Sequence, residues 1–374
     1  MLTLTFTASL IVALAISVQL PAQEQKDVAG SARHPTIITF DPPGSVLTAP
    51  FAINPAGAIT GIYFDASNVG HGFLRAKDGT FTSFDAPGAL VTAAYSINPA
   101  GAIAAVYADA SFVNHGLLRT SDGTITTFDA PGAGTGSGQG TFAFNINPAG
   151  AIAGQYLDDD NVWHLFLRAP DGTITTFDAP SAGTGAGQGT ISAGADGLNP
   201  EGAIAAGYVN TGSFFSGTQL LHGALRAPDG TFTEFDVPGA GTGPGQGTGT
   251  SGINPAGTIS GVYIDSSGVN HGFVRAKDGT ITKFDVPGAG TGSGQGTFAQ
   301  NINTPGDVGG SYIDGSGVAH GFLRSKQGDI NTFDVPGAGT ASGQGTLPGQ
   351  NNPAGAITGW YIDASGVQHG FLRK

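Results

Sequence analysis

The sequence predicts an all-β fold, a seven-bladed β-propeller with four-stranded blades, on three observations. One motif recurs seven times, marked by Phe-Asp pairs from Phe40-Asp41 to Phe333-Asp334 at spacings of 44, 44, 49, 58, 49 and 49 residues. A period of about 40 to 50 residues carrying four short strands is what a propeller blade requires. No run with a 3.6-residue apolar period follows the leader, so helical repeats do not fit. The last copy also stops partway through a unit, where the first copy began. Residues 36–40 are an orphan outer strand, and residues 369–373 lack an outer neighbour. Pairing them closes the ring and removes the free edge at which a repeat array frays.

The clearest copy runs from Phe142 to Asp178 and divides into four short runs. "TFAFNIN" leads through Pro148-Ala149-Gly150 into "AIAGQY", and "HLFLR" leads through Pro170-Asp171-Gly172 into "TITTFD". Proline presets φ at the start of each turn, and glycine accepts the left-handed conformation that ends a bulged three-residue hairpin loop. The glycine-rich "DAPGAGTGSGQGT" then reads as a spacer to the next unit. This order puts both tight turns on one face. The links and the "DASGV" loops fall on the other, with nearly all the length variation. The first two links lack the "GTGSGQGT" insertion, and the fourth unit alone adds residues around Asn210 to Leu221. Variable loops on a rigid scaffold are where binding resides, so this loop face is the candidate binding surface.

A chain of 374 residues could hold two domains, but internal repetition argues for one body over 36–374. Leu2 to Leu20 is almost wholly apolar or hydroxylic, which reads as a signal peptide over 1–22, followed by a linker over 23–35. The leader has no Lys or Arg before its apolar run, and an uncleaved N-terminal anchor is the alternative, because a run of this length could just span a bilayer. Either way the repeat body is expected outside the cytoplasm, extracellular or periplasmic. The absence of cysteine excludes disulfides and thiolate chemistry. A net charge of −13 disfavours nucleic acid and anionic membrane as partners. A monomer is expected.

Every regularly placed titratable residue repeats with the scaffold. Seven histidines share one position, and counting outward from the Pro-Asp-Gly loop sets His71 opposite Asp85, His164 opposite Asp178 and His271 opposite Asp285. These pairs read as cross-strand staples worth roughly 1.5 to 3 kcal/mol each if charge-assisted and partly buried. Seven arginines follow four residues later and are expected in inter-blade or cross-strand ion pairs. Loop aspartates such as Asp65 and Asp265 suit Asx turns. Calcium is the alternative ligand there, with Asp158, Asp159 and Asp160 the best-furnished loop. Trp163, Trp360, Phe214 and Phe215 are the irregular aromatics, suited to packing or to stacking on a sugar or a partner protein. The candidate binding residues are therefore Asp158, Asp159, Asp160, Trp163, Phe214 and Phe215. No catalytic residue is assigned and no cofactor is required.

At the level of "INPAGAITGIY.DAS..GHGFLR..DGT.T.FD", Ile53 to Asp85, the chain resembles the bacterial extracellular HAF repeats, named for a His-Ala-Phe core. It departs from them at Gly72 and Leu165, where the family has Ala, and in carrying Arg where an aromatic is common. The resemblance implies an exported, propeller-like protein and carries over no catalytic residues. The expected function is a binding or scaffold module for a carbohydrate or a protein partner. A propeller lyase or glycan hydrolase is the alternative, with Glu201 and Glu234 as its only glutamates beyond the leader region. A purely structural surface component is the third reading.

Overall fold

The computed structural model describes residues 35–194 and 196–374. The expected signal peptide and anchor lie outside them. The described residues are all-β, with 28 strands in one repeated sheet and a single turn of 3-10 helix over Phe214–Ser216.

In the first repeat the strands Ser45–Ile53, Ile59–Asp65, Gly70–Arg75 and Phe81–Phe84 each pair antiparallel with their neighbour in the chain. The same pattern recurs down the chain. The second strand is central and buried on both faces, so "ITGIYFD" is mostly apolar and does not alternate with polar residues. Its glycine serves a bulge in the first strand, where the register shifts between Pro50 and Ala52. A Cβ at Gly61 would sit 2.2 Å from the Ala49 carbonyl oxygen. The third strand contributes the deepest side chain, such as Phe73 or Phe166, which is fully buried. The core lies between successive repeats: Ala104 of the second packs with Ile152 and Phe166 of the third.

Three further contacts recur between successive repeats. The "INP" asparagine donates from its side-chain amide to the next repeat's asparagine carbonyl, as in Asn54 to Asn98 (3.2 Å), Asn98 to Asn147 (3.3 Å) and Asn303 to Asn352 (3.3 Å). Its Oδ1 meanwhile accepts an amide within its own tight turn, Asn54 from Ala58 at 3.0 Å. Each arginine lies over the preceding repeat's phenylalanine, Arg119 over Phe84 at 5.1 Å and Arg226 over Phe177 at 4.0 Å. The third strand also meets the next repeat's first strand in a parallel bridge, Asn114 opposite Gly140.

The last repeat meets the first through the asparagine and arginine contacts and through a strand pairing. Ile37–Phe40 pairs antiparallel with Gln368–Arg373, Ile37 opposite Arg373 and Phe40 opposite Gly370. Asn352 donates to the Asn54 carbonyl at 3.2 Å, and Arg75 lies 4.7 Å over Phe40.

Two expectations change. The arginines stack on aromatic rings, a cation–π contact between repeats, instead of forming ion pairs. Their partner is an apolar ring because the acidic residue of the adjacent Asp-Gly turn is engaged by its own backbone, Asp171 accepting from Thr173 N at 2.9 Å. The glycine-rich links are more than spacers. Gln139 accepts from Gly136 N at 2.8 Å and donates to the Asp159 carbonyl at 3.3 Å, pinning the link to the neighbouring loop.

Candidate functional site

The first strand of a repeat runs from the link to the "NPAG" turn, and each later strand reverses direction. The links and the loops between second and third strands therefore share one face. At its rim six of the seven motif histidines stand between two carboxylates, and all seven lie against a tyrosine ring. His71 Nδ1 is 2.7 Å from Asp85, its Nε2 is 3.5 Å from Asp65, and its ring lies 5.1 Å from that of Tyr63. His164 sits likewise 2.8 Å from Asp178 and 3.2 Å from Asp158, and His271 2.8 Å from Asp285 and 3.5 Å from Asp265. In the fourth repeat His222 holds Asp236 alone; Ser216, six residues earlier, bonds to Thr218 instead.

Only imidazolium can donate from both nitrogens. The Asp178 hydrogen bond raises the His164 pKa against a smaller opposing effect of burial. For His71, burial opposes, but the two carboxylates together still raise it. The Asp85 and Asp285 side chains are 38% and 57% exposed. Water therefore competes for them, and each pair is worth about 1 kcal/mol, below the sequence expectation.

The loop aspartates close their own turns. Asp65 Oδ1 accepts from Ser67 N at 2.8 Å and Val69 N at 2.9 Å, and the Val69 amide leads in holding its carboxyl below the usual range. Asp158 accepts from Val162 N at 2.8 Å. Among the described residues no group of three His, Asp or Glu side chains is arranged to hold a metal ion, so Asp158, Asp159 and Asp160 do not converge as one. Asp159 instead accepts from Thr135 N at 3.2 Å, across the preceding link, while Asp160 is exposed.

The loops of three successive repeats connect into one arc. In the second repeat the Phe112 carbonyl accepts from Gly138 N at 2.8 Å, in the link that Asp159 and Gln139 tie to the third repeat's loop. The third repeat's Asn161 carbonyl accepts from Gly187 N at 2.7 Å, and the Gly187 carbonyl accepts from Phe214 N at 3.0 Å. Phe112 and Phe215 are 53% and 58% exposed at the two ends, with Asp159 and Asp160 between them. Val46 and Leu90, the other exposed large apolar side chains among the described residues, lie at links on this same face.

Of the expected aromatics, Phe215 is presented to solvent, whereas Phe214 is half-buried in a turn capped by the Ser213 hydroxyl. Trp163 packs 5.5 Å from Phe142 and Trp360 stands edge-on to Phe51 at 6.1 Å, so both are held as packing groups. Phe112 was not anticipated. It occupies the loop position that is Asn68, Asn161 or Gly268 elsewhere, with φ 60. A left-handed backbone is disfavoured for any residue with a Cβ and is a genuine outlier for a bulky one. An aromatic at a Gly or Asn position was the available signal. Glu201 is exposed in its tight turn, and Glu234 accepts from Ser181 N and Oγ at 2.8 and 2.7 Å. The two glutamates lie at opposite ends of their repeat.

No family model matches the chain, and no curated protein matches it. Solved structures do. The BP39L lectin from Burkholderia pseudomallei aligns over 87% of this chain and 98% of its own, at 11% identity and TM-score 0.52. A puromycin hydrolase aligns over 86% of this chain at 13% identity and TM-score 0.52, and a prolyl endopeptidase over 88% at 10% and 0.54. What they share is a repeat β-propeller. This chain spans about half the length of the hydrolase and the endopeptidase, 51% and 50%.

Proposed function

We propose that the chain is an exported carbohydrate-binding module of the HAF-repeat type, a seven-bladed propeller whose four-stranded blades form a closed ring and whose loop face takes the glycan. Ring closure is supported by the contacts of the last repeat with the first through Asn352, Arg75 and Phe40. The binding reading is carried by one observation: Phe112 stays exposed in a left-handed conformation at the end of an arc that finishes at exposed Phe215. Backbone strain retained for an exposed ring is a cost that packing does not explain. Aromatic faces stack on the C–H faces of sugars, and the Asp159 and Asp160 carboxylates between the rings can accept sugar hydroxyls. The lectin neighbour accords with this reading.

The test is a thermal-shift scan of the mature protein against a glycan panel, repeated with Phe215→Ala. A glycan-specific rise that the variant loses supports the reading. A rise untouched in Phe215→Ala and Phe112→Gly places the ligand elsewhere. No rise with any glycan would favour a protein partner or a structural component.

A further inference from the structure

Where the seventh repeat meets the first, the tight-turn end opens a cavity of about 270 Å³, close to the roughly 300 Å³ at which small-molecule sites begin. Its floor is the edge of the inter-repeat core, Ile53 and Leu372, both 3% exposed, with Ale356 of the same cluster beside them. The corresponding pair recurs at other junctions, Ile97 with Leu74 and Ile146 with Leu118. The rim is what differs. Lys77 and Lys374 both line it. Lys374 stands where the other repeats have Ala76, Thr120, Ala169, Ala227, Ala276 and Ser325. Lys77 has counterparts in Lys277 and Lys326, but only at this junction does a second lysine accompany it.

Alternation along the third strand puts Lys374 on the same face as Leu372, the face turned to the first repeat. Its main-chain groups are spent in the ladder, N donating to the Thr36 carbonyl at 2.9 Å and O accepting from Thr36 N at 3.1 Å. Lys77 approaches from the first repeat. A Cβ at Gly57 would meet its Cγ at 3.7 Å, so its stem lies along the tight turn that ends at that glycine. Among the described residues neither ammonium has an acceptor, and no Asp or Glu lines the cavity. Asp78, beside Lys77, is turned onto its own loop, where Oδ1 accepts from Thr80 N at 2.9 Å. The histidine-paired and loop aspartates lie at the far end of the strands, roughly 20 Å away, beyond a Debye length of about 8 Å at physiological ionic strength. Two unpaired ammoniums over an apolar floor suit an anion with an apolar body.

We propose that this junction binds a small organic carboxylate, held at its charged end by Lys77 and Lys374 and at its apolar end by Ile53, Ala356 and Leu372. The inference is independent of the carbohydrate reading, since the cavity lies at the opposite end of the strands from Phe112 and Phe215.

Benzoate, inorganic phosphate and benzyl alcohol separate the two requirements, and each would be titrated into the full mature chain by calorimetry at neutral pH and low salt. Benzoate should bind, with phosphate and benzyl alcohol weaker by roughly tenfold, the loss of about one decade of affinity with either half of the contact. Lys77→Ala and Lys374→Ala should each weaken benzoate roughly fivefold, the worth of one exposed charge pair. Both side chains are exposed, so the melting midpoint should stay at the wild-type value. Lys277→Ala, at a junction with no second lysine, should bind benzoate as the wild type does. Benzoate bound equally well after both Lys77 and Lys374 are replaced would place it elsewhere and overturn the proposal, as would a wild type that takes no benzoate. Phosphate bound as tightly as benzoate would remove the apolar floor from the site, and benzyl alcohol bound as tightly would remove the lysines. Either result overturns the carboxylate assignment.

Discussion

The two ends of the strands are built from the same repeat and are used differently. At the tight-turn end, every "INP" asparagine that donates to its neighbour has its own Oδ1 engaged as well, and each arginine repeats its stack on the preceding ring. At the loop end, the histidine and aspartate pairs repeat, but Phe112, Asp159 and Phe215 do not. Identity from repeat to repeat marks what holds the body together, and departure from it marks what the body presents.

The largest effect should come from breaking the regular end. Asn98→Ala would leave the Ala102 amide without its partner and remove one of the two donors, Gly150 N being the other, to the buried Asn147 carbonyl. A loss of roughly 1 to 3 kcal/mol is expected by denaturant unfolding, the cost of one orphaned group, with glycan affinity unaltered in the folded fraction. Next in size is Phe112→Gly, which sharpens the contrast because its two readouts should move in opposite directions. Glycine relieves the left-handed strain, so stability should rise by about 1 kcal/mol, while affinity should fall roughly tenfold, about 1.4 kcal/mol.

The smallest effect belongs to the staples. His71→Ala should cost about 1 kcal/mol at pH 6 and less at pH 8.5. The sign follows from the raised pKa values of His71, His164 and His369. A base whose folded pKa exceeds its unfolded one gives stability that is complete below about 6.5 and is lost as pH rises through the folded value. The wild-type midpoint should therefore fall between pH 6 and 8.5, and the variant should show a shallower fall. A pH profile identical in the two proteins would show that the pairs do not hold the blades.

Much of the fold was legible because repetition supplies its own alignment. Strand order, turn positions and the pairing of 36–40 with the C-terminal strand followed from the Phe-Asp register, and Asp-Gly spacing set His164 against Asp178. What stayed hidden depended on neighbours from other repeats. The arginines' aromatic partners lie in the preceding repeat, so no local spacing reveals them. The asparagine series was invisible for the same reason, although "INP" is among the most regular words in the chain. Asp158 to Asp160 suggested a metal by proximity in sequence, yet turn amides and the adjoining link claim two of the three carboxylates.

The most direct test of the claim that departures from the repeat carry the function is Phe112→Gly, with melting midpoint and glycan affinity measured on the same preparation. The account requires a higher midpoint together with weaker binding. An unchanged affinity, or a midpoint below wild type, would contradict it.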